Sequence, residues 1–384
     1  MLAIVLSGGG AKGAYQAGVW KALKHLKIKY DIVTGTSIGA INGMMMAQND
    51  YYNAMRLWKN INYKILYDDF EYVADNVDMF KKYVQKMLTG GLDTSKIEKL
   101  INSNYNSKKL YNSKIAYGIM SYNATTKKAV TSTTRNTRPN ILKKYILASA
   151  TCFPAFKPTK IGVDTYIDGG YYDNMPLNLA IDLGADEIIA VDLGALGFKK
   201  RIKTKDVKVT LIKPRKKLDP FFMFEPNSAR RMINLGYNDT MKTFGKLDGD
   251  LYTFKKGTIN TIGNKYKKKM IDIATYYDDM STVKKLNKNM LEVVEESLDI
   301  LELRMDRIYN IASINSEFIK RNSKIEDINL NDFNIEQIKK IFDKKSITKS
   351  FYTKIKKRDK ISNILINIFN KEFVTAIYLV AIGS

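Results

Sequence analysis

Ser37 stands between two glycines in Gly35-Thr36-Ser37-Ile38-Gly39, the G-x-S-x-G pattern of a nucleophilic serine raised on a tight strand-to-helix turn. A serine hydroxyl needs a base to attack, and the usual base is histidine. His25 is the only histidine in the 384 residues. It lies well beyond Gly13 along a helical pattern, about 18 Å further at 1.5 Å per residue, and so faces the wrong end of any sheet that presents Ser37. The order serine, acid, histidine of an α/β-hydrolase is also missing. The base must be a carboxylate or a lysine. Asp168, in Tyr166-Ile167-Asp168-Gly169-Gly170, ends a strand-like run and has the glycine flank that lets a backbone and a substrate pass closely. Asp31, Asp173, Asp182 and Asp186 compete with it, and an ordinary turn would also explain an Asp-Gly pair.

The elements that must position these residues follow from the apolar pattern. Leu2 to Leu6 is a continuous apolar run, as in a strand buried on both faces, and it enters Ser7-Gly8-Gly9-Gly10-Ala11-Lys12-Gly13. Ala14 to Leu26 carries a helical stripe. Tyr30 to Thr34 reads as a second strand, which enters the serine motif and then a helix of small residues through Ala47. Both glycine groups thus sit where a strand hands over to a helix, at the carboxyl edge where open α/β sheets place their ligands. Ile115 to Asn123 pairs in pattern with Ala129 to Thr133, and Glu187 to Leu193 and Val207 to Lys213 read as further strands. Residues 50 to 110 read as helical, with Ser95 and Glu98 spaced as a capping box. Pro214, Pro220 and Pro226 punctuate a loop carrying Phe221-Phe222-Met223-Phe224, before a helical pattern from Asn227 to Phe244.

The spacing Gly8-x-Gly10-x-x-Gly13 also satisfies the dinucleotide-binding fingerprint, with Asp31 as the candidate ribose acid. That acid belongs at the carboxyl end of the second strand, whereas Asp31 opens it. A phosphate-binding P-loop fails because Ala14 follows Gly13 where Lys-Ser/Thr is required.

Composition narrows the classes. Hydrophobic residues make up 45% and charged residues 27%, ordinary globular values. A single cysteine, Cys152, rules out an intramolecular disulfide and any multi-cysteine metal site, and a single histidine rules out sites needing two. Cys152 itself reads as a small buried residue. Lysine and arginine outnumber acids by 63 to 39, a net charge of +24 that points to a negative partner or neighbour. The excess divides as 24 bases against 16 acids in 1 to 195 and 39 against 23 in 196 to 384. No zinc-finger spacing or RNP-type motif accompanies it, so no nucleic-acid partner is expected. The N-terminal run lacks a basic n-region and is broken by glycines, and no run reaches the length of a membrane span, so the chain is expected in the cytoplasm or peripheral to a membrane.

Three blocks together, Gly8-Gly9-Gly10-Ala11-Lys12-Gly13, Gly35-Thr36-Ser37-Ile38-Gly39 and Asp168-Gly169-Gly170, resemble the patatin-like phospholipase family in kind and order. Ala148-Ser149-Ala150-Thr151-Cys152-Phe153-Pro154-Ala155-Phe156, Asn174-x-Pro176 and Gly184-Ala185-Asp186-Glu187 add matching texture. The resemblance implies a three-layer α/β/α sheet over residues 1–245, followed by a basic, mostly helical extension over 246–384 to which it does not reach. It implies a Ser-Asp dyad, with Ser37 the nucleophile and Asp168 the base, and an oxyanion hole from the N–H groups of Gly8, Gly9 and Gly10. Lys12, Gly13, Gly35, Gly39, Gly169 and Gly170 would support them. The activity implied is hydrolysis of acyl esters, of phospholipase A or lysophospholipase type, without metal or cofactor. A lipid-binding protein with a weak or vestigial dyad and a dinucleotide-binding enzyme are the alternatives.

In the extension, Lys265-Tyr266-Lys267-Lys268-Lys269 and Lys354-Ile355-Lys356-Lys357-Arg358 punctuate helical stretches, and Phe373 to Ile382 is almost wholly apolar. The expectation is that basic clusters and apolar segment together lie on an anionic membrane surface; packing of that segment as a core helix is the competing expectation.

Overall fold

A computed structural model of the protein describes residues 1–62, 85, 89 and 92–383. It divides into two compact units, Met1–Thr243 and Phe244–Ser384.

In the first unit the apolar run becomes β1 (Leu2–Leu6), followed by a turn and α1 (Gly13–His25). Next come β2 (Ile32–Thr36), α2 (Ile38–Ala47) and α3 (Tyr51–Lys59). Further strands are β3 (Ala116–Asn123), β4 (Lys128–Thr133), β5 (Thr159–Ile161), β6 (Asp164–Asp168), β7 (Glu187–Val191) and β8 (Lys208–Ile212). They form one mixed sheet in the order β5-β6-β3-β2-β1-β7-β8, with β4 pairing β3 on its other side. The stretch β3-β2-β1-β7-β8 is parallel, and β4, β5 and β6 are antiparallel additions. From β1 the chain builds outward first through β2 and β3, then on the other side through β7 and β8. The carboxyl end of β1 is therefore a topological switch point, the place where such sheets open a crevice.

Strand alternation distributes β1 between two faces. Ala3 and Val5 join Ile32 and Ile188 against Leu177 and Ala180 of the helix Leu177–Asp182. On the opposite face Gly43 brings α2 down onto Val33, Tyr117 and Leu6. Helices thus cover both sides of the sheet. The helix Pro226–Thr243 crosses α1 with backbones in contact: a Cβ on Gly18 would lie 2.0 Å from the Ile233 carbonyl, and one on Gly236 would lie 2.1 Å from that of Tyr15.

The helical expectation for residues 50 to 110 holds at α3, Ser95–Asn104 and Ser107–Tyr111, while residues 63–84, 86–88, 90 and 91 lie outside the described residues. The capping box does not form. Ser95 is already helical, Thr94 occupies the cap, and the Ser95 N–H donates to Asp93 Oδ1 at 2.6 Å, so an aspartate two residues upstream does the capping.

The second unit is a helical assembly with a small sheet that the sequence pattern did not announce: β9 (Leu247–Asp248), β10 (Thr253–Lys255) and β11 (Ile308–Tyr309). Its centre is the helix Asn370–Gly383. Phe373 and Tyr378 are fully buried there, with Phe373 against Phe351 and Tyr277 and Tyr378 against Phe318 and Tyr266. The expectation that Phe373 to Ile382 lies in a membrane interface is therefore overturned: the segment supplies the core of its own unit. No helix among the described residues is long and apolar enough to cross a membrane.

The backbone after the serine turn packs closely at Gly39, where a Cβ would lie 2.3 Å from the Leu6 carbonyl oxygen. Neither partner is a flexible side chain. Gly39→Ala should therefore destabilise the first unit by about 1–3 kcal/mol or more, as overpacking does. Urea unfolding of the variant checks this, and an unchanged midpoint would refute it.

Candidate active site

Ser37 and Asp168 meet because two strands share one edge of β3. β2 runs parallel along the first half of β3 and stops with Thr36 opposite Met120. β6 runs antiparallel along the second half, from Tyr166 opposite Asn123 down to Asp168 opposite Ser121. The other edge of β3 belongs to β4. The strand ends therefore abut, and the residue after β2 faces the residue that closes β6. Beyond Asp168 the chain must leave the sheet, since the next position is held by β2. It does so at Gly169, where a Cβ would lie 2.3 Å from the Met120 carbonyl oxygen.

The turn at Ser37 is strained. Its φ of 58° and ψ of −126° lie in territory that side-chain-bearing residues rarely occupy, a conformation found where function demands it. The Ser37 N–H donates to Ser149 Oγ at 2.9 Å, and Ser149 is fully buried. Ser37 lies close enough to the Asp168 carboxylate for its hydroxyl to favour the ionised form. Asp168 is 5% exposed and also accepts the Gly170 N–H at 2.7 Å, while its own N–H donates to the Thr151 carbonyl at 3.1 Å. Burial pushes its pKa up from 3.8 to about 6, against the pull of Ser37 and of the Gly170 hydrogen bond. Such a carboxylate is ionised near neutrality yet basic enough to take a proton.

The glycine loop lies beside this pair. A Cβ on Gly8 would approach Ser37 Cβ to 2.9 Å. Of the three N–H groups expected to face a developing oxyanion, that of Gly8 is engaged: it donates to both the carbonyl and Oδ1 of Asn174, each at 3.1 Å. Those bonds occupy the Gly8 N–H in this structure. Ala11 N–H donates to the Phe221 carbonyl at 2.6 Å, fixing the loop from outside. Lys12 is half-buried, and desolvation followed by repulsion from Lys217 lowers its pKa while Asp192 opposes the shift.

A buried relay of amides holds the loop from within. Trp58 Nε1 donates to Asn42 Oδ1 at 2.8 Å, and Asn42 Nδ2 donates to Gln16 Oε1 at 2.8 Å and to the Gly13 carbonyl at 3.0 Å. Gln16 Nε2 completes it on the Ser7 carbonyl at 2.7 Å. Gln16, Asn42, Ser149 and Asn174 are the site residues that sequence reasoning missed. Polar residues within apolar helical runs, Gln16 in α1 and Asn42 in α2, were the available signal.

The competing acids are engaged elsewhere. Asp31 Oδ2 takes the Leu2 N–H at the amino end of β1, Asp182 pairs with Lys203, and Asp186 pairs with the N-terminal amine at 2.7 Å. Asp173 is buried and also raised to about 6 by burial, but its Oδ1 accepts the N–H groups of Met175 and Lys200. His25, in the last turn of α1, has Nδ1 2.6 Å from the Tyr237 hydroxyl and stacks on that ring. Cys152 is exposed rather than buried, a correction that follows from its place in the Thr151-Cys152-Phe153 turn after the helix Pro139–Ser149.

Residues 4–181 match the patatin-like phospholipase family model, and that part of the chain belongs to the family. Patatin-like phospholipase domain-containing protein 7 of Rattus norvegicus is 29% identical over 196 residues, covering 50% of this chain and 14% of the relative. Lysophospholipase nte1 of Aspergillus terreus is 29% identical over 209 residues, covering 50% of this chain and 12% of the relative. The chain thus matches about one seventh of the length of these relatives or less. Among solved structures, VipD from Legionella pneumophila aligns over 99% of this chain and 90% of its own, with a TM-score of 0.44 at 13% identity.

Between about pH 4 and 6 the folded protein holds an Asp168 proton that the unfolded chain has released, so this group makes stability fall as pH rises. The full shift amounts to about 3 kcal/mol at pH 7. Asp168→Asn removes that slope. Denaturant titrations should show the variant gaining on the wild type between pH 4 and pH 7, and an equal difference at both would contradict the raised carboxylate.

Proposed function

We propose that the chain is a lipid acyl hydrolase of phospholipase A or lysophospholipase type, working through Ser37 and Asp168 as a dyad. The observation that supports this reading is the abutment of Ser37 and the buried Asp168 carboxylate, raised to a pKa near 6, at the carboxyl edge of a sheet within a patatin-like segment.

Asp168 takes the Ser37 proton as Oγ attacks the ester carbonyl, and the tetrahedral oxyanion receives the N–H groups of Gly9 and Gly10. Each preorganised donor of this kind is worth about 3 kcal/mol in the transition state. The start of α2, immediately after Ser37, adds the positive end of a helix dipole. The protonated Asp168 returns its proton to the leaving alcohol, giving acyl-Ser37. Water then gives a proton to Asp168 and attacks the acyl-enzyme, releasing the fatty acid and restoring serine. Imidazole has no part in the cycle, in keeping with the engagement of His25 by Tyr237.

Ser37→Ala and Asp168→Asn should each lower hydrolysis of a lysophospholipid by at least about 10³-fold, by similar amounts because the two act as one unit. His25→Gln should stay within about twofold of the wild type, since the group lies outside the proton path. Release of fatty acid, followed by titration, is the measurement. Full turnover by either dyad variant, or a hundredfold loss in His25→Gln at unchanged stability, would refute the assignment.

A further inference from the structure

Several exposed apolar side chains of the first unit stand on loops whose backbones are bonded to the segments around the site. Leu196 is 100% exposed and Phe198 69%. Their loop is anchored at its base: Asn174 donates from its N–H to the Phe198 carbonyl at 2.5 Å and from Nδ2 to the Leu196 carbonyl at 3.3 Å, and Phe198 N–H donates to the Gly170 carbonyl at 3.0 Å. Phe221, also exposed, supplies the carbonyl that fixes Ala11 beside the glycine loop. The carbonyl of exposed Phe153 accepts the hydroxyl of Tyr171, three residues after Asp168, at 2.5 Å. Single exposed apolar residues need no explanation, but these stand on separate loops bonded to the glycine loop and to the segment after Asp168.

Cations are interleaved with them. Lys199 and Lys200 follow Phe198 directly, and Lys200 Nζ lies 4.1 Å over the Tyr172 ring. Lys217 precedes Phe221 and sits close enough to Lys12 to repel its charge. Residues 192–201 and 213–221 together hold seven bases and two acids, and one of those acids, Asp192, is paired with Lys199 at 2.6 Å. The apolar side of the C-terminal helix, from Phe373 to Leu379, is buried in the core of its own unit.

We propose that this rim is a membrane-docking surface, on which Leu196, Phe198 and Phe221 enter the acyl boundary of an anionic phospholipid layer while Lys199, Lys200 and Lys217 meet its headgroups. Rigid loop bases with apolar tips and flanking lysines suit a layer that is apolar inside and charged at its surface. The choice of a lipid layer over an acidic protein rests on the reading of Ser37 as a lipid acyl hydrolase. Docking would set the crevice above Ser37 against the layer that supplies its substrate.

The test uses the full chain carrying Ser37→Ala, so that vesicles are not consumed, and sedimentation with phosphatidylcholine vesicles with and without phosphatidylserine. The parent should prefer the anionic vesicles, and the preference should weaken with salt. Adding Leu196→Ser and Phe198→Ser should lower binding to both vesicle types by about tenfold. Adding Lys199→Gln, Lys200→Gln and Lys217→Gln instead should remove the anionic preference and leave binding to neutral vesicles in place. Matching thermal melts establish that each variant is folded. Equal binding by the parent to both vesicles at low salt, or variants that bind as the parent does, would overturn the proposal and leave an acidic protein as the partner for these charges. Binding is scored without turnover, so a wild type that fails to hydrolyse lipid would refute the enzyme reading and leave the vesicle result standing.

Discussion

The abutment of β2 and β6 on a single edge of β3 is the constraint from which the rest of the site follows. A parallel strand entering from one end and an antiparallel strand entering from the other bring Thr36 and Asp168 to neighbouring positions, opposite Met120 and Ser121. Backbone hydrogen bonding of a central strand thereby fixes the distance between a hydroxyl and a carboxylate that are far apart in the chain. Neither residue depends on a mobile loop for its placement, and precise constellations are best held on such rigid elements.

That geometry brings costs that other contacts offset. Ser37 is held at positive φ, and Asp168 is buried with a pKa well above its ordinary value. The strained turn is fixed by close backbone packing at Gly39 and by the bond to Ser149, and the carboxylate by the Gly170 N–H. The amide relay from Trp58 through Asn42 and Gln16 to Ser7 fixes the neighbouring loop in the same way. A fully satisfied buried polar network rigidifies its surroundings, and one left partly satisfied would loosen them. If Asp168 is the base proposed above, stability at neutral pH and competence of that base are opposed there, a common relation at functional sites.

Much of this was legible in the residues. The apolar runs of β1 and β2, the strand pair β3 and β4, and the strands β7 and β8 stand close to their expected places, because buried strands announce themselves by continuous apolar residues. The exclusion of His25 needed only its position along a helix. Less legible was anything set by partners distant in sequence. That β6 joins β3 antiparallel, that Asn174 takes the Gly8 N–H, and that Asp173 is as buried as Asp168 are consequences of tertiary pairing, which leaves no local period. The short strands of the second unit escaped for a related reason, being two or three residues long within helical surroundings. The burial of Phe373 to Ile382 shows the limit of composition, since an apolar run reads alike whether a core or a membrane receives it.

The central claim is that Ser37 is activated by a carboxylate titrating near pH 6. The rate at which a fluorophosphonate probe labels Ser37, followed by intact mass as a function of pH, tests it most directly. The account predicts a rate that rises through about pH 6 to a plateau, keeps that profile in His25→Gln, and falls to a low, pH-independent level in Asp168→Asn. Labelling that is flat from pH 4 to 8 in the wild type, or that retains its rise near pH 6 after Asp168→Asn, would contradict it.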